Sequence, residues 1–298
     1  MNYSNQIVPA GTNREYKDRL FKAIFGRENP QSKKWRLELY NALRGTSYTD
    51  PDALELNTIE NVIYLTMRND ISFLVDSQMT LFEQQSTYNP NMPLRGLMYF
   101  AQLYQRHITK MDKTLHETRL IKIPYPKFVV FYNGSKETKD IEYLRLSEAF
   151  ENKEKDGDFE WTAELININQ DHNNSLQKNC KPLYDYVRYV SRIKENKKQG
   201  MTAEESVNEA VGWAIKENLL DGFFKLQKEE VLAMSLTEYD EEAVMRSMRE
   251  EGREEGIQEK AIEAAAAFLK EKISPQVIAR CVKLPLEQVI QLQTKLEV

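Results

Sequence analysis

Cysteine, histidine and long apolar runs are all scarce in this chain of 298 residues. The only two cysteines, Cys180 and Cys281, have no CxxC spacing, which argues against a disulfide framework or a zinc site and favours a reducing cytoplasm. The three histidines show no spacing typical of a metal site or a catalytic triad. The apolar run at 128–132 is far too short to span a bilayer, and no signal peptide is evident. We therefore expect a cytoplasmic protein without a membrane partner.

Strong positive charge is also missing. The net charge is −5, and it is divided unevenly, with +3 over residues 1–150 and −8 over residues 151–298. A nucleic-acid-binding protein usually carries a basic surface, so the overall charge does not indicate one. If the protein binds nucleic acid, we expect a local patch in the N-terminal half to do so.

A composition of 41% hydrophobic and 29% charged residues is typical of a globular protein. In the N-terminal half, segments with helical spacing of apolar residues alternate with short segments rich in β-type residues. The predicted elements are helices at 14–26 and 33–43, strands at about 59–67, 70–75 and 79–86, a helix at 94–111, and strands at 127–132 and 163–168. A helix between two strands is typical of a crossover connection, which predicts an α/β fold with a mixed sheet flanked by helices.

Helices dominate the predicted C-terminal half. They cover about 180–197, 202–217, 221–250 and 249–272, followed by two short helices near the end. The helix over 249–272 is charged and then Ala-rich, which suggests homodimerisation. The two short helices fit either a helix-turn-helix or a small bundle for association. We predict an α/β domain at 1–170, a helical extension at 171–250 and a helical tail at 251–298.

The stretch 69–87, NDISFLVDSQMTLFEQQST, looks like an apolar hairpin that is interrupted by polar residues. Residues two apart in a strand share a face, so Asp70 shares one with Ser72, and Glu83 shares one with Gln85. A loop of two or four residues would pair Ser72 with Glu83. Asp70 would then face Gln85, and the two acids would be diagonal neighbours. An odd loop without a bulge would place them on opposite faces.

Two carboxylates on one face repel each other, and a hard divalent cation between them removes the conflict. Mg²⁺ binds oxygen ligands, commonly one or two carboxylates, and Mn²⁺ or Ca²⁺ fits the same donors. Such a cation promotes the attack of water on a phosphodiester and offsets the charge on phosphate oxygens. Gln85 can orient water or phosphate by hydrogen bonding, but it supplies no positive charge.

Four short motifs follow one another within residues 14–135. They are D-x-x-F-K-x-x-F at Asp18, Phe21, Lys22 and Phe25; R-x-D at Arg68 and Asp70; E-x-Q at Glu83 and Gln85; and R-x-x-x-Y at Arg95 and Tyr99. Together with the order of helices and strands, they resemble the recombination-promoting nucleases, also called YhgA-like transposases, of the PD-(D/E)xK superfamily.

The resemblance implies a PD-(D/E)xK, restriction-endonuclease-like core and a metal-dependent DNA endonuclease. By that resemblance, Asp70 and Glu83 bind the metal, Mg²⁺ above the other cations, and no small-molecule cofactor is needed. Gln85 stands where the family signature often has lysine, and Asp18 supports the site from the first helix. The family name also implies an association with recombination or mobile elements.

Three residues are candidates for nucleic-acid contact. By the same resemblance, Lys22 on the first helix or Arg95 on the helix after the hairpin would lie near phosphate. Tyr99, like Tyr88, flanks the proposed cleft, where either stacking on bases or packing in the core would suit its ring. DNA is the implied partner.

The glutamine leaves a second interpretation open, because it lacks the charge that assists the nucleophile. The fold could then serve a catalytically weak or inactive nucleic-acid-binding or assembly module. A nuclease that acts on RNA is a third interpretation. A glycosidase is less favoured, because two acids on one hairpin suit a shared cation better than a sugar between them.

Overall fold

The structure is a computed structural model, and it describes residues 19–56, 71–75, 77–152 and 159–296. The chain divides into two compact units, Met1–Tyr239 and Asp240–Val298. The domain boundaries predicted at residues 170 and 250 stay predictions.

Helices and strands alternate in the first unit, as the periodicity predicts. The helices are α1 (Arg19–Phe25), α2 (Pro30–Arg44), α3 (Met92–Lys110), α4 (Asn174–Asn179), α5 (Lys181–Lys198), α6 (Ala203–Lys216), α7 (Phe223–Leu226) and α8 (Lys228–Lys270), the last of which continues into the second unit. The strands are β1 (Glu55–Leu56), β2 (Ile71–Val75), β3 (Gln78–Gln85), β4 (Tyr125–Tyr132), β5 (Ile141–Arg145) and β6 (Thr162–Asn167).

The described strands form one mixed sheet in the order β1-β2-β3-β4-β6-β5. β3, β4 and β6 are parallel, while β1, β2 and β5 pair antiparallel to their neighbours. α3 makes the crossover between β3 and the parallel β4, which confirms the prediction of an α/β fold with a mixed sheet. The carboxyl ends of the three parallel strands therefore lie at one edge of the sheet, and β2 begins at that same edge.

Most predicted elements are found within a few residues of their expected ends. The strand predicted at 59–67 lies outside the described residues. β5 and the two-residue β1 were not predicted, because short edge strands such as β5, with the sequence IEYLR, carry little apolar alternation. Two long helices are predicted from 221 onward. The structure instead has the short α7 (Phe223–Leu226) and then the single helix α8, which passes through Gly252 and Gly256 without a break.

Local sequence signals fix several helix ends. Pro30 begins α2, the Asn29 side chain accepts a hydrogen bond from the Ser32 backbone N–H, and Gly45 ends the helix in the left-handed conformation. Thr202 and Glu205 form a reciprocal capping box at the start of α6. These ends depend on short-range contacts alone, which explains why they agree with the sequence.

Two core clusters lie on opposite faces of the sheet, because side chains alternate along each strand. On the first face, here called the α3 face, Met79, Leu81 and Val130 pack against α3. On the other face, here called the α5 face, Phe82 and Phe131 pack against helices that include α1, α2, α5 and α6. The sheet is thus covered by helices on both sides.

The second unit contains the end of α8, followed by α9 (Pro275–Val282) and α10 (Leu286–Leu296). Its core is a small cluster centred on Ala265, Ile278 and Val289. Over the residues that the structure describes, no helix has both the length and the apolar character needed to cross a membrane.

Candidate active site

The hairpin of β2 and β3 carries the polar residues that the sequence singles out. Its observed register pairs Leu74 with Met79 and Ile71 with Phe82. In the predicted register Ser72 faces Glu83, whereas in the structure Ser72 faces Leu81, a shift of two residues. The shift arises because Val75 already pairs with Gln78, so the turn lies one residue earlier. Ser77 makes that tight turn with a positive φ of 62°.

The connection nevertheless has an even length, so the predicted sharing of faces is confirmed for the described residues. Leu74 packs against the same cluster as Met79 and Leu81, on the α3 face. Ile71 and Phe82 belong to the opposite cluster. By the same alternation, Glu83 and Gln85 continue the row of Met79 and Leu81 along the α3 face.

Glu83 is the most unusual residue of this row, because its carboxylate is only 1% exposed. The Gln85 side-chain amide donates a hydrogen bond to Glu83 Oε1 over 2.5 Å. Arg95 Nη2 lies 2.5 Å from the same oxygen, and the Arg95 side chain remains 32% exposed. A buried carboxylate needs both a counter-charge and hydrogen bonds, and the two neighbours supply them.

Arg95 is held in turn by Tyr99, one helical turn further along α3. The Arg95 Nη2 and Nε groups donate to Tyr99 Oη over 2.8 and 3.2 Å. The Tyr99 ring is 2% exposed, so it offers no free face to a base. Its predicted contact with nucleic acid stays a prediction, and the geometry favours a role that acts through Arg95.

The predicted site is only partly within the described residues. Asp18 and Asp70 lie outside them. Lys22 lies half-buried on α1, on the α5 side of the sheet, where a side chain at Gly26 would contact both Lys22 and Ile71. Lys22 is therefore close to the start of β2, at the same edge of the sheet as Glu83.

No group of three or more His, Cys, Asp or Glu side chains within the described ranges could hold a metal ion. This observation does not include Asp70, the second predicted ligand. Of the two predicted ligands, only Glu83 is described, and it offers a hard carboxylate oxygen of the kind that Mg²⁺ binds.

Sequence reasoning missed a second polar group at this edge, on the α5 face. The Gln84 amide donates to Asn133 Oδ1 over 2.7 Å, and Asn133 Nδ2 donates to Tyr186 Oη over 3.3 Å. Lys194 donates to the Asn133 carbonyl and, over 2.9 Å, to Asn169 Oδ1. The sequence marks Asn133 only as a turn residue, because its partners are more than 30 positions away along the chain.

Comparisons with known proteins do not identify a family for this chain. No family model matches it, and neither a curated protein nor a solved structure does.

Proposed function

We propose that the protein is a metal-dependent DNA endonuclease that hydrolyses phosphodiester bonds at the sheet edge containing Glu83. The observation that carries the proposal is the buried carboxylate of Glu83, which shares the α3 face with Gln85 and contacts Arg95. Buried charges with a specific charge partner occur in clusters at functional sites, which makes Glu83 a candidate for the reaction centre. The cytoplasm is the proposed location.

The arrangement of elements supports a PD-(D/E)xK core as the finer description of the fold. A helix precedes an antiparallel hairpin, a crossover helix follows, and the next strand is parallel to the second strand of the hairpin. This is the order that the sequence motifs predict. The absence of a matching solved structure leaves the description a proposal.

We propose that Asp70 and Glu83 bind the cation. Asp70 directly precedes β2 in the sequence, and the first residue of β2, Ile71, pairs with Phe82, the neighbour of Glu83 along β3. The cation would supply Lewis acidity to a bound phosphodiester. Asp18 is proposed to support the site from the segment that precedes α1.

The other residues have proposed roles that follow from their chemistry. Gln85 orients a water or a phosphate oxygen through its amide. Arg95, whose side chain contacts Glu83 and is 32% exposed, is proposed to bind incoming phosphate. Lys22 contributes positive charge from α1, which lies near the start of β2.

Nicking of supercoiled plasmid DNA tests this function. We expect the wild-type protein to nick with Mg²⁺ or Mn²⁺ and to stop when the metal is chelated. Asp70→Asn and Glu83→Gln should each lower the rate at least about 100-fold, because each removes a ligand charge that stabilises the transition state. Glu164→Gln is a matched control, since Glu164 is another strand carboxylate but pairs with Lys127.

Equal cleavage by wild type, Asp70→Asn and Glu83→Gln would contradict the assignment of the site. A thermal melt of each variant separates lost chemistry from lost folding.

One observation favours a second candidate function, a DNA-binding or assembly module without hydrolysis. Arg95 already compensates the charge of Glu83, and Gln85 cannot add a cation to the site. Such a module would bind DNA in a salt-dependent manner and leave plasmid intact at every metal concentration.

A further inference from the structure

A recess of about 410 Å³ opens at the carboxyl edge of the sheet. It is lined by Tyr88, Lys136, Glu137, Thr138, Lys139 and Glu142. The strand register sets Gln85 beside Tyr132, and the Tyr132 ring meets the Tyr88 ring edge-on, with the centroids 6.3 Å apart. Tyr88 and Tyr132 both pack into the cluster on the α3 face. The recess is therefore on the same face and at the same edge as Glu83.

The turn after β4 fixes the backbone of Lys136. The Tyr132 phenol accepts a hydrogen bond from the Lys136 N–H over 2.8 Å and donates one to the Lys136 carbonyl over 3.1 Å. Gly134 lets this turn lie against the end of β3, because a Cβ at that position would overlap the Ser86 carbonyl oxygen. The start of the Lys136 side chain thus has a defined position.

Tyr88 defines where that side chain ends. The Lys136 ammonium lies 3.3 Å from the centre of the Tyr88 ring, a cation–π contact. The Tyr88 hydroxyl donates to Glu142 Oε1 over 3.0 Å. Burial and this hydrogen bond raise the pKa of Tyr88 to about 12, and the same hydrogen bond to Glu142 holds the ring in place.

The recess presents ammonium groups beside a site that is short of positive charge. Lys136 and Lys139 are both exposed, while Arg95 is engaged with Glu83. Of the two acids on the rim, Glu142 accepts the Tyr88 hydroxyl and Glu137 is exposed. Lysine ammonium groups bind phosphate as mobile point charges, which suits a backbone phosphate better than a base edge.

We propose that Lys136, positioned by Tyr88, binds a backbone phosphate of the DNA strand next to the group that reacts at Glu83, with Lys139 as a second contact. The inference rests on the proposed function and names the surface along which the substrate would lie. Lys136 is a binding residue, and Tyr88 is a positioning residue.

Fluorescence anisotropy with a short labelled DNA duplex tests this in a chelating buffer, where cleavage cannot consume the probe. Lys136→Ala should weaken binding about five- to tenfold and lower the slope of log affinity against log salt by about 0.9, the value for one lost phosphate contact. Lys113→Ala removes the same charge from the loop that follows α3, at the other edge of the sheet, and should bind as the wild type does.

The role of Tyr88 is tested in the same assay. Tyr88→Leu should weaken binding about two- to threefold in the wild-type background and have no effect in the Lys136→Ala background, because the ring acts only through the lysine. A ring that served only to stabilise the fold would give the same loss in both backgrounds. That result would overturn the positioning role.

The outcomes separate this inference from the proposed function. Weaker binding by Lys136→Ala, in a protein that never nicks plasmid, would support the phosphate site and contradict the hydrolytic function. Nicking that depends on Glu83, with equal DNA binding by the Lys136→Ala and Lys113→Ala variants, would support the function and overturn the phosphate site. A wild-type protein that binds no DNA at low salt would overturn both. Tighter binding of the same sequence as an RNA duplex would overturn the assignment to DNA.

Discussion

Glu83 shows how one buried charge organises its neighbours. Its carboxylate has almost no access to water, and in a low-dielectric environment the charge depends on Arg95 and on the Gln85 amide. The Tyr99 hydroxyl accepts a hydrogen bond from the Arg95 guanidinium and so fixes its position. The four side chains form one unit in which each residue holds the next, so the substitution of one partner leaves another unsatisfied.

We expect Arg95→Gln to lower the free energy of unfolding by about 2 kcal/mol, because it leaves the Glu83 carboxylate buried without its cation. The estimate is below the 3–5 kcal/mol typical of a fully buried pair, since Arg95 is 32% exposed. Adding Glu83→Gln should recover about 1 kcal/mol or more of that loss. Urea unfolding of the single and double variants measures both effects.

Arg145→Gln is the matched control for this cycle. Arg145 is 58% exposed and pairs with Glu160 at 3.7 Å, so its loss should change the free energy of unfolding by no more than about 0.5 kcal/mol. If Arg95→Gln is as mild as this control, Glu83 does not depend on Arg95 for its charge balance.

At the scale of the element, α3 determines the geometry of the site. It carries Arg95 and Tyr99 and connects two parallel strands, so its distance from the sheet sets how closely Arg95 approaches Glu83. Gly96 permits that short distance, because a Cβ there would overlap the ring of Phe128 on β4. Gly96, next to Arg95, therefore allows close packing of α3 against the sheet and does not act as a hinge.

We expect Gly96→Ala to lower the free energy of unfolding by about 1–2 kcal/mol, since overpacking of the Phe128 contact outweighs the higher helix propensity of alanine. Gly212→Ala on α6 is the control, because a Cβ at that position meets no atom within 4 Å. It should raise the free energy of unfolding by up to about 1 kcal/mol. Chemical denaturation measures both changes, and equal effects of the same sign would contradict the close packing of α3.

At the scale of the whole molecule, the two compact units differ in the size of their cores. The first unit buries large aromatic residues on both faces of a sheet. Among the residues of the second unit that the structure describes, the core is centred on Ala265, Ile278 and Val289, which are fully buried. A cluster of that size provides little hydrophobic stabilisation, so local opening of the second unit should require little free energy.

We therefore expect amide hydrogens of β3 and β4 to exchange slowest, and those of α9 and α10 to exchange orders of magnitude faster. Hydrogen exchange followed by mass spectrometry measures this at the level of peptides. Equal protection of α10 and β4 in dilute protein would contradict the expectation. Protection of α10 that rises with protein concentration would instead support the predicted homodimer.

Helix ends and the α/β class could be predicted from the sequence because they depend on contacts between near neighbours. The helix predicted at 33–43 corresponds to α2, and the run at 128–132 lies in the buried strand β4. Glu83 and Gln85 could also be selected, because strand alternation places them on one face, whereas Arg95 was selected only through the resemblance of its motif to a nuclease family.

The exact register, the ion pair and the second polar group could not be predicted. Leu74 pairs with Met79 because Ser77 adopts a positive φ, a conformation that its residue type does not indicate. The contact of Tyr88 with Lys136 joins residues 48 positions apart, through a turn that Gly134 allows.

The sequence by itself determined which side chains share a strand face, because alternation follows from the backbone of a strand. Only the tertiary structure decided that the Glu83 carboxylate is buried beside Arg95, and that Lys136 lies over Tyr88 at the same edge. Burial and charge pairing depend on which elements pack together. The packing of these elements depends on interactions throughout the core. It therefore cannot be deduced from any short segment of the sequence.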